Sequence, residues 1–329
     1  MTPVLQVRNL SVTFSIPKRG AWPWTPPAEL HAVRDVCFDL NPGETLGIVG
    51  ESGSGKSTLA RAIVGTVTAS GGQVLWQGTD LLKLGTDARR AQRRDVQMIF
   101  QDPLAALNPR MPVGEIIAEP LITHQPATPK SEVRARVRDI MDRVGLLSNQ
   151  LNRYPHEFSG GQCQRIGIAR ALILKPKLVV CDEPVSALDV SIQAQVVNLL
   201  ADLQRDMGLA MIFIAHDLSV VKHISDRIMV MYLGRQMEAA PAKELIRQPK
   251  HPYTRALIAS VPIPDPVAEK ARAHVVLEGE LPSPLRPPSG CAFRTRCPMA
   301  QPDCARDVPP LLAISDTHDV ACPYWQTEP

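Results

Sequence analysis

No apolar run in this 329-residue chain approaches the roughly 18 residues that a membrane-spanning helix needs. The N-terminus, Met1-Thr2-Pro3-Val4-Leu5-Gln6-Val7-Arg8, lacks the basic start and apolar core of a secretory signal. A cytosolic chain is expected, with any membrane role coming through partners. Charge of one sign is also scarce: the formal net charge of +3 is too small to argue for nucleic acid or for a polybasic membrane surface. No two cysteines stand at the C-x2-4-C spacing usual for structural zinc. What is present is an ordinary soluble balance, 44% hydrophobic and 21% charged, in a chain long enough for two modest domains.

Along the chain, short apolar runs alternate with helical segments. Val4-Leu5-Gln6-Val7 and Ser11-Val12-Thr13-Phe14 alternate as strands do. Residues 17–30, with Trp22 and Trp24, read as a loop insertion, and Val33 to Leu40 as a strand. Thr45-Leu46-Gly47-Ile48-Val49 feeds a glycine-rich loop, and Ser57 to Gly65 continues as a helix. Asp95 to Phe100 is a further strand. Residues 112–175 read as mostly helical, with Arg134, Arg136 and Arg138 on a solvated face. Strands return at Leu178–Cys181, Ala210–Ala215 and Ile228–Leu233, so a mainly parallel α/β sheet with an inserted helical block is predicted. From His251 the composition shifts, and residues 261–329 hold 13 prolines. So loop-rich an appendage has little core of its own, and a staple is expected.

Three segments carry chemistry. Gly50-Glu51-Ser52-Gly53-Ser54-Gly55-Lys56-Ser57 satisfies G-x-x-x-x-G-K-[ST] between a strand and a helix, with Thr58 behind it. Its glycines let backbone N–H groups curl around phosphates, Lys56 reaches the β/γ oxygens of ATP, and Ser57 meets Mg²⁺. Asp182 closes an apolar strand, where open α/β sheets bind ligands; it suits Mg²⁺, and adjacent Glu183 is the candidate general base. Gln101 and His216 also end strands, one able to touch Mg²⁺ and water, the other the γ-phosphate. Phe158-Ser159-Gly160-Gly161-Gln162 precedes a helix that Ser159 can cap, leaving an exposed anion-binding N-terminus.

The tail holds Cys291, Cys297, Cys304 and Cys322 at C-x5-C-x6-C-x17-C spacing. In a reducing compartment such a cluster reads as metal ligands before disulfides. Four thiolates suit a [4Fe–4S] cluster or Zn²⁺, between which spacing alone does not choose, with free thiols the lesser alternative.

The order of phosphate loop, Ser159-Gly160-Gly161-Gln162 and Asp182-Glu183 resembles an ATP-binding cassette. Met98-Ile99-Phe100-Gln101-Asp102-Pro103-Leu104, Leu107-Asn108-Pro109-Arg110-Met111, Phe213-Ile214-Ala215-His216-Asp217 and Asp182 to Asp189 extend the likeness. His251-Pro252-Tyr253-Thr254-Arg255-Ala256-Leu257 and Leu281-Pro282-Ser283-Pro284 narrow it to ATP-binding subunits of oligopeptide and dipeptide ABC importers of the peptide/nickel class, in particular the F-type subunit of oligopeptide importers. The resemblance implies a P-loop fold with a RecA-like core sheet, an antiparallel β subdomain and a helical subdomain at about 103–175, all within 1–250. A cysteine-containing extension follows at 251–329.

It also implies roles. Lys56, Ser57 and the loop bind phosphates; Ser57, Gln101 and Asp182 serve Mg²⁺; Glu183 and His216 act in hydrolysis. Asp189 lies in a loop communicating between two sites, and Phe14 stacks on adenine. Ser159, Gly160, Gly161 and Gln162 act on a partner's ATP. The tail resembles a cysteine-bound [4Fe–4S] element, which puts that cluster ahead of Zn²⁺. Implied partners are a second, distinct cassette, two transmembrane permease subunits and, indirectly, an extracytoplasmic peptide-binding protein. The implied location is the cytoplasmic face of the bacterial inner membrane, with no nucleic acid involved. A repair-type cassette would need a long coiled coil, yet only 101 residues without sustained heptads separate Ser57 from Ser159. A translation-type cassette would carry two such units in one chain. Intact Lys56, Asp182 and Glu183 argue against a module that binds ATP without hydrolysing it.

Overall fold

A computed structural model describes residues 2–17, 26–261 and 279–327, so Trp22 and Trp24 lie outside the described residues. The strands are β1 (Leu5–Ile16), β2 (Ala28–Leu40), β3 (Thr45–Val49), β4 (Gly71–Trp76), β5 (Thr79–Asp80), β6 (Val96–Ile99), β7 (Leu178–Asp182), β8 (Ala210–Ile214), β9 (Arg227–Tyr232), β10 (Arg235–Pro241), β11 (Leu312–Ser315) and β12 (His318–Val320). The helices are α1 (Lys56–Ile63), α2 (Thr86–Gln92), α3 (Pro103–Ala106), α4 (Val113–His124), α5 (Lys130–Arg143), α6 (Gly160–Leu172), α7 (Val190–Met207), α8 (Leu218–Ile224), α9 (Ala242–Arg247) and α10 (Pro252–Ala259).

Two compact units emerge. The first comprises Met1–Val4, Leu40–Thr45 and Lys83–Ala215. In it β6, β7 and β8 run parallel, with Val180 opposite both Met98 and Ile212. Every residue of β7 and β8 is buried, as expected of strands covered on both faces. Asp182 is the one acid in those two strands and sits at the carboxyl end of β7, opposite Ile214. The expected helical block is here, with α4 packed on α5 and α6. On α5, Val133, Val137, Ile140 and Met141 recur at three- and four-residue spacing and are buried. Arg134 and Arg138 are exposed, and Arg136 bonds Glu132 one turn away, so these arginines do form a solvated face.

The second unit comprises Leu5–Asp39, Leu46–Leu82 and His216–Pro329. One sheet is antiparallel, ordered β2-β1-β4-β5, with Leu5 opposite Trp76 and Val7 opposite Val74. β1 runs continuously from Leu5 to Ile16, joining the two alternating runs of its sequence across a register shift between Arg8 and Ser11. The other strands run in the order β11-β12-β10-β9-β3; β3 and β9 are parallel, and Ile48 faces Met229.

The C-terminal segment is held without the expected staple. β12 pairs with β10, setting Val320 opposite Glu238, and β11 pairs with β12. Phe293 is fully buried beside Tyr232 of β9 and Tyr253 of α10, with ring centroids 5.4 and 5.2 Å away. The Glu238 carboxylate, also fully buried, accepts from the backbone N–H groups of Lys250 and His251 at 2.8 and 2.9 Å. His318 stands between two carboxylates: Nε2 is 2.8 Å from Glu238 and Nδ1 is 2.8 Å from Glu244. Both ring nitrogens face acceptors, so the arrangement is complete only for the imidazolium. Burial opposes that charge, yet the two hydrogen-bonded carboxylates outweigh it and raise the His318 pKa above the ordinary histidine value. His251 is the opposite case. Burial pushes it down to about 4, and its Nδ1 accepts from the Tyr253 N–H at the start of α10.

A raised folded-state pKa means that the stability contributed by His318 is complete below about pH 6.5 and is lost as pH rises through the folded value. His318→Gln is therefore expected to lower Tm most at and below about pH 6.5. The gap to the parent should shrink steadily in melts taken at increasing alkalinity.

Candidate functional site

The phosphate loop joins β3 to α1 in the second unit, and its backbone dictates its residues. Gly55 precedes α1 with φ +97°, and a Cβ there would lie 2.2 Å from the carbonyl oxygen of Ala32. Only glycine fits, because both the dihedral and the close approach exclude a side chain. Lys56, 4% exposed, turns back over the loop and donates to the carbonyl oxygens of Gly50 and Glu51 at 2.8 and 3.0 Å. The loop is thereby folded around a cation, with Ser57 and Thr58 half-buried on the first turn of α1. Ser52 and Gly53 are exposed at the tip.

In the first unit Asp182 is fully buried and Glu183 follows it with φ +47°. Gln101, just past β6, donates from Nε2 to Glu183 Oε2 at 2.9 Å. The structure thus brings together two residues 82 positions apart that the sequence could only suggest separately. Cys181 lies beneath, its thiol driven well up by burial and by Asp182, which leaves it inert.

Ser159 caps α6 reciprocally: its Oγ accepts from the Gln162 N–H at 3.3 Å, and Gln162 Oε1 accepts from the Ser159 N–H at 3.0 Å. A Cβ on Gly161 would come within 2.5 Å of Ile192 Cγ2 on α7. Gly160 has room, with the nearest atom at 3.6 Å. Asp189 caps α7 by accepting from the Ile192 N–H at 3.0 Å and from the Ser191 hydroxyl at 2.7 Å, and the hydroxyl contact foremost holds its carboxyl below the usual range. The helix that opens with the signature stretch Ser159-Gly160-Gly161-Gln162 and the helix opened by Asp189 therefore meet at Gly161 and Ile192. His216 is exposed after β8, and Phe14 is 37% exposed on β1. Cys163, one residue past the signature, is fully buried and its thiol donates to the Pro155 carbonyl at 3.4 Å, a packing role.

Cys291, Cys297, Cys304 and Cys322 all border one cavity, yet the expected iron–sulfur cluster is overturned. Among the described residues no three or more His, Cys, Asp or Glu side chains form a group able to hold a metal ion. Burial also pushes the Cys291, Cys297 and Cys322 thiols up, Cys297 to about 11, which favours the protonated form over the thiolate a metal needs. Zn²⁺, the alternative, meets the same obstacle. The strand pairing, the aromatic cluster around Phe293 and the Glu238–His318–Glu244 arrangement do the holding that a metal staple was expected to do.

Sequence reasoning passed over two contacts to the loop. Tyr253 Oη accepts from the Glu51 N–H at 2.9 Å, and Arg296 Nη1 lies 2.9 and 2.8 Å from the two Glu51 carboxylate oxygens. These partners are 202 and 245 residues from Glu51, a separation at which no local pattern gives a signal.

A strand–loop–helix phosphate cradle, a buried acid at a strand end and a capped signature helix define an ATP-binding cassette. Residues 33–186 match the family described as "ABC transporter", and 237–304 match "Oligopeptide/dipeptide transporter, C-terminal region". Over 319 residues, 97% of this chain and 95% of the relative, the chain is 63% identical to "Oligopeptide transport ATP-binding protein OppF" of Escherichia coli (strain K12). It is 52% identical over 324 residues, 98% of this chain and 96% of the relative, to "Putative oligopeptide transport ATP-binding protein YkfD" of Bacillus subtilis (strain 168). Among solved structures, the ATP-binding cassette MJ0796, dimeric and bound to ADP and Pi, superposes with TM-score 0.64 at 28% identity, covering 72% of this chain and 98% of that one. The cbiO1 cassette of Clostridium perfringens gives TM-score 0.64 at 25% identity, covering 75% and 92%. The chain belongs to the oligopeptide-transport ATP-binding subunits of the ABC transporter family.

Gly55→Ala should cost about 1–3 kcal/mol from the dihedral alone, and more because the opposing atom is backbone. Denaturant unfolding of nucleotide-free protein measures it; an unchanged midpoint would contradict the packing described for Gly55.

Proposed function

We propose that this chain is the ATP-hydrolysing subunit that powers import of oligopeptides and dipeptides through a multisubunit ABC transporter. The observation that carries the reading is the loop 50–57 closed around Lys56, a cradle shaped for phosphate oxygens. Residues 1–250 are read as the ATPase domain, with a helical subdomain at about 103–175, and 251–329 as the importer-type extension.

Each residue then has a task. Lys56 exchanges its carbonyl partners for the β- and γ-oxygens of ATP, and the N–H groups from Gly50 to Thr58 bind the remaining phosphate oxygens. The hydroxyl of Ser57, the amide of Gln101 and the carboxylate of Asp182 are all oxygen donors, the set that suits Mg²⁺. Bound with the nucleotide, Mg²⁺ supplies neutralisation of charge on the transferring phosphoryl group. Glu183 orients the attacking water and accepts its proton, and the hydrogen bond from Gln101 holds that carboxylate in place. His216 contacts the γ-phosphate, and Phe14 lies against adenine. Ser159, Gly160, Gly161 and Gln162 present the N-terminus of α6 to ATP held by a second cassette, and Asp189 links the two sites.

Two cassettes working on two membrane subunits follow from this division of labour. The partner cassette is read as a related, distinct chain. The membrane subunits are two permeases, with an extracytoplasmic peptide-binding protein acting through them. Among the described residues no helix is long and apolar enough to cross a membrane; the subunit is read as attached peripherally at the cytoplasmic face of the inner membrane through its permease partners. The contact of α6 with α7 at Gly161 gives the signature a mechanical connection to Asp189, so that displacement of one cap is felt by the other.

Glu183→Gln should retain ATP binding and lose on the order of 10²–10⁴-fold in turnover, accumulating a closed complex with the partner cassette. Steady-state ATPase and peptide uptake in vesicles carrying the assembled transporter measure this. Unchanged turnover would remove Glu183 from the role of base.

A further inference from the structure

Glu51 is the only acid in the phosphate loop, and a carboxylate there repels a polyphosphate. All three of its polar parts are held. Its N–H donates to Tyr253 Oη at 2.9 Å, its carbonyl accepts from Lys56 at 3.0 Å, and Arg296 Nη1 straddles both carboxylate oxygens at 2.9 and 2.8 Å. The Arg296 side chain is 8% exposed and that of Glu51 25%, so water and salt screen the pair less than a surface bridge. Phe293 fixes the arginine, because its carbonyl accepts from the Arg296 N–H at 3.0 Å while its ring packs against Tyr253 and Tyr232. One short turn of the C-terminal extension thus delivers a ring to the core and a guanidinium to the loop.

We propose that Arg296 is a positioning residue for the phosphate loop: by pairing with Glu51 it cancels the loop's one negative charge and, together with Tyr253, sets the loop in the shape that receives ATP. The extension is therefore part of the nucleotide site. Any rearrangement of the extension that withdraws Arg296 lowers ATP affinity without touching the hydrolytic residues. This inference rests on the reading of residues 50–57 as the ATP phosphate loop.

The test is a titration of the full-length chain with a fluorescent ATP analogue, paired with ATPase kinetics of the assembled transporter. Arg296→Gln leaves Glu51 uncompensated, and ATP affinity should fall roughly tenfold with a matching rise in KM, while kcat at saturating ATP stays within about twofold. Adding Glu51→Gln to Arg296→Gln removes the repulsion and should bring affinity back to within about threefold of the parent. Arg296→Lys, which keeps the charge and loses the planar fork, should fall between. Tyr253→Phe keeps the packed ring, removes the hydroxyl and should weaken binding about threefold, which keeps the test decisive if Arg296→Gln does not fold. Parental affinity in a folded Arg296→Gln, or a double variant as weak as Arg296→Gln, would overturn the proposal; where Arg296→Gln does not fold, parental affinity in Tyr253→Phe would do so. A parent that does not bind the analogue, or a Lys56→Ala variant that binds it equally well, would instead strike the phosphate-loop reading.

Discussion

The interaction on which the site depends is the buried ammonium of Lys56 held by the carbonyls of Gly50 and Glu51. It closes the loop on itself and sets a positive charge at its centre. A loop already closed around its own cation spends less binding energy on ordering than one that must fold around a ligand. Gly55 is forced by the same closure, since the turn that aims Lys56 brings the backbone against Ala32.

Besides that loop, helix caps hold two further parts of the site. Ser159 and Asp189 each cap a helix, and the two helices touch where Gly161 lacks a side chain and Ile192 fills the gap. The hydrogen bond between Gln101 and Glu183 does comparable work at the ends of β6 and β7, tying a residue of one loop to the candidate base on the next. Small polar contacts of this kind can be exchanged at modest cost, which suits a machine that must alternate between nucleotide-bound and nucleotide-free states.

The C-terminal extension changed most between sequence and structure. Its four cysteines and many prolines suggested a poorly packed lobe stapled by metal. The structure supplies other means: β12 on β10, an aromatic cluster of Tyr232, Tyr253 and Phe293, and a buried carboxylate, Glu238, that satisfies two backbone amides and His318 together. Phe293 and His318 are single residues in unpatterned sequence, so nothing in periodicity marked them as core. The cysteine spacing was conspicuous in the chain, yet it did not translate into a metal-holding group, because spacing along an irregular backbone does not determine where four sulfurs point.

The sequence by itself determined the phosphate loop, the acid at the end of β7, the capped signature helix and the parallel α/β character, because each is encoded in a few contiguous residues. Glycines where the dihedral demands them, an acid after an apolar run and a serine three residues before its capping partner are all local statements. Only the tertiary structure decided what depends on residues far apart in the chain: the Gln101–Glu183 contact, the packing of Gly161 on Ile192, the burial of Phe293 and the grip of Arg296 and Tyr253 on Glu51. A hydrogen bond or ion pair acts over about 3 Å. Two residues separated by 82 or 245 positions acquire such a contact only when the intervening chain has packed, and no pattern within either segment announces it.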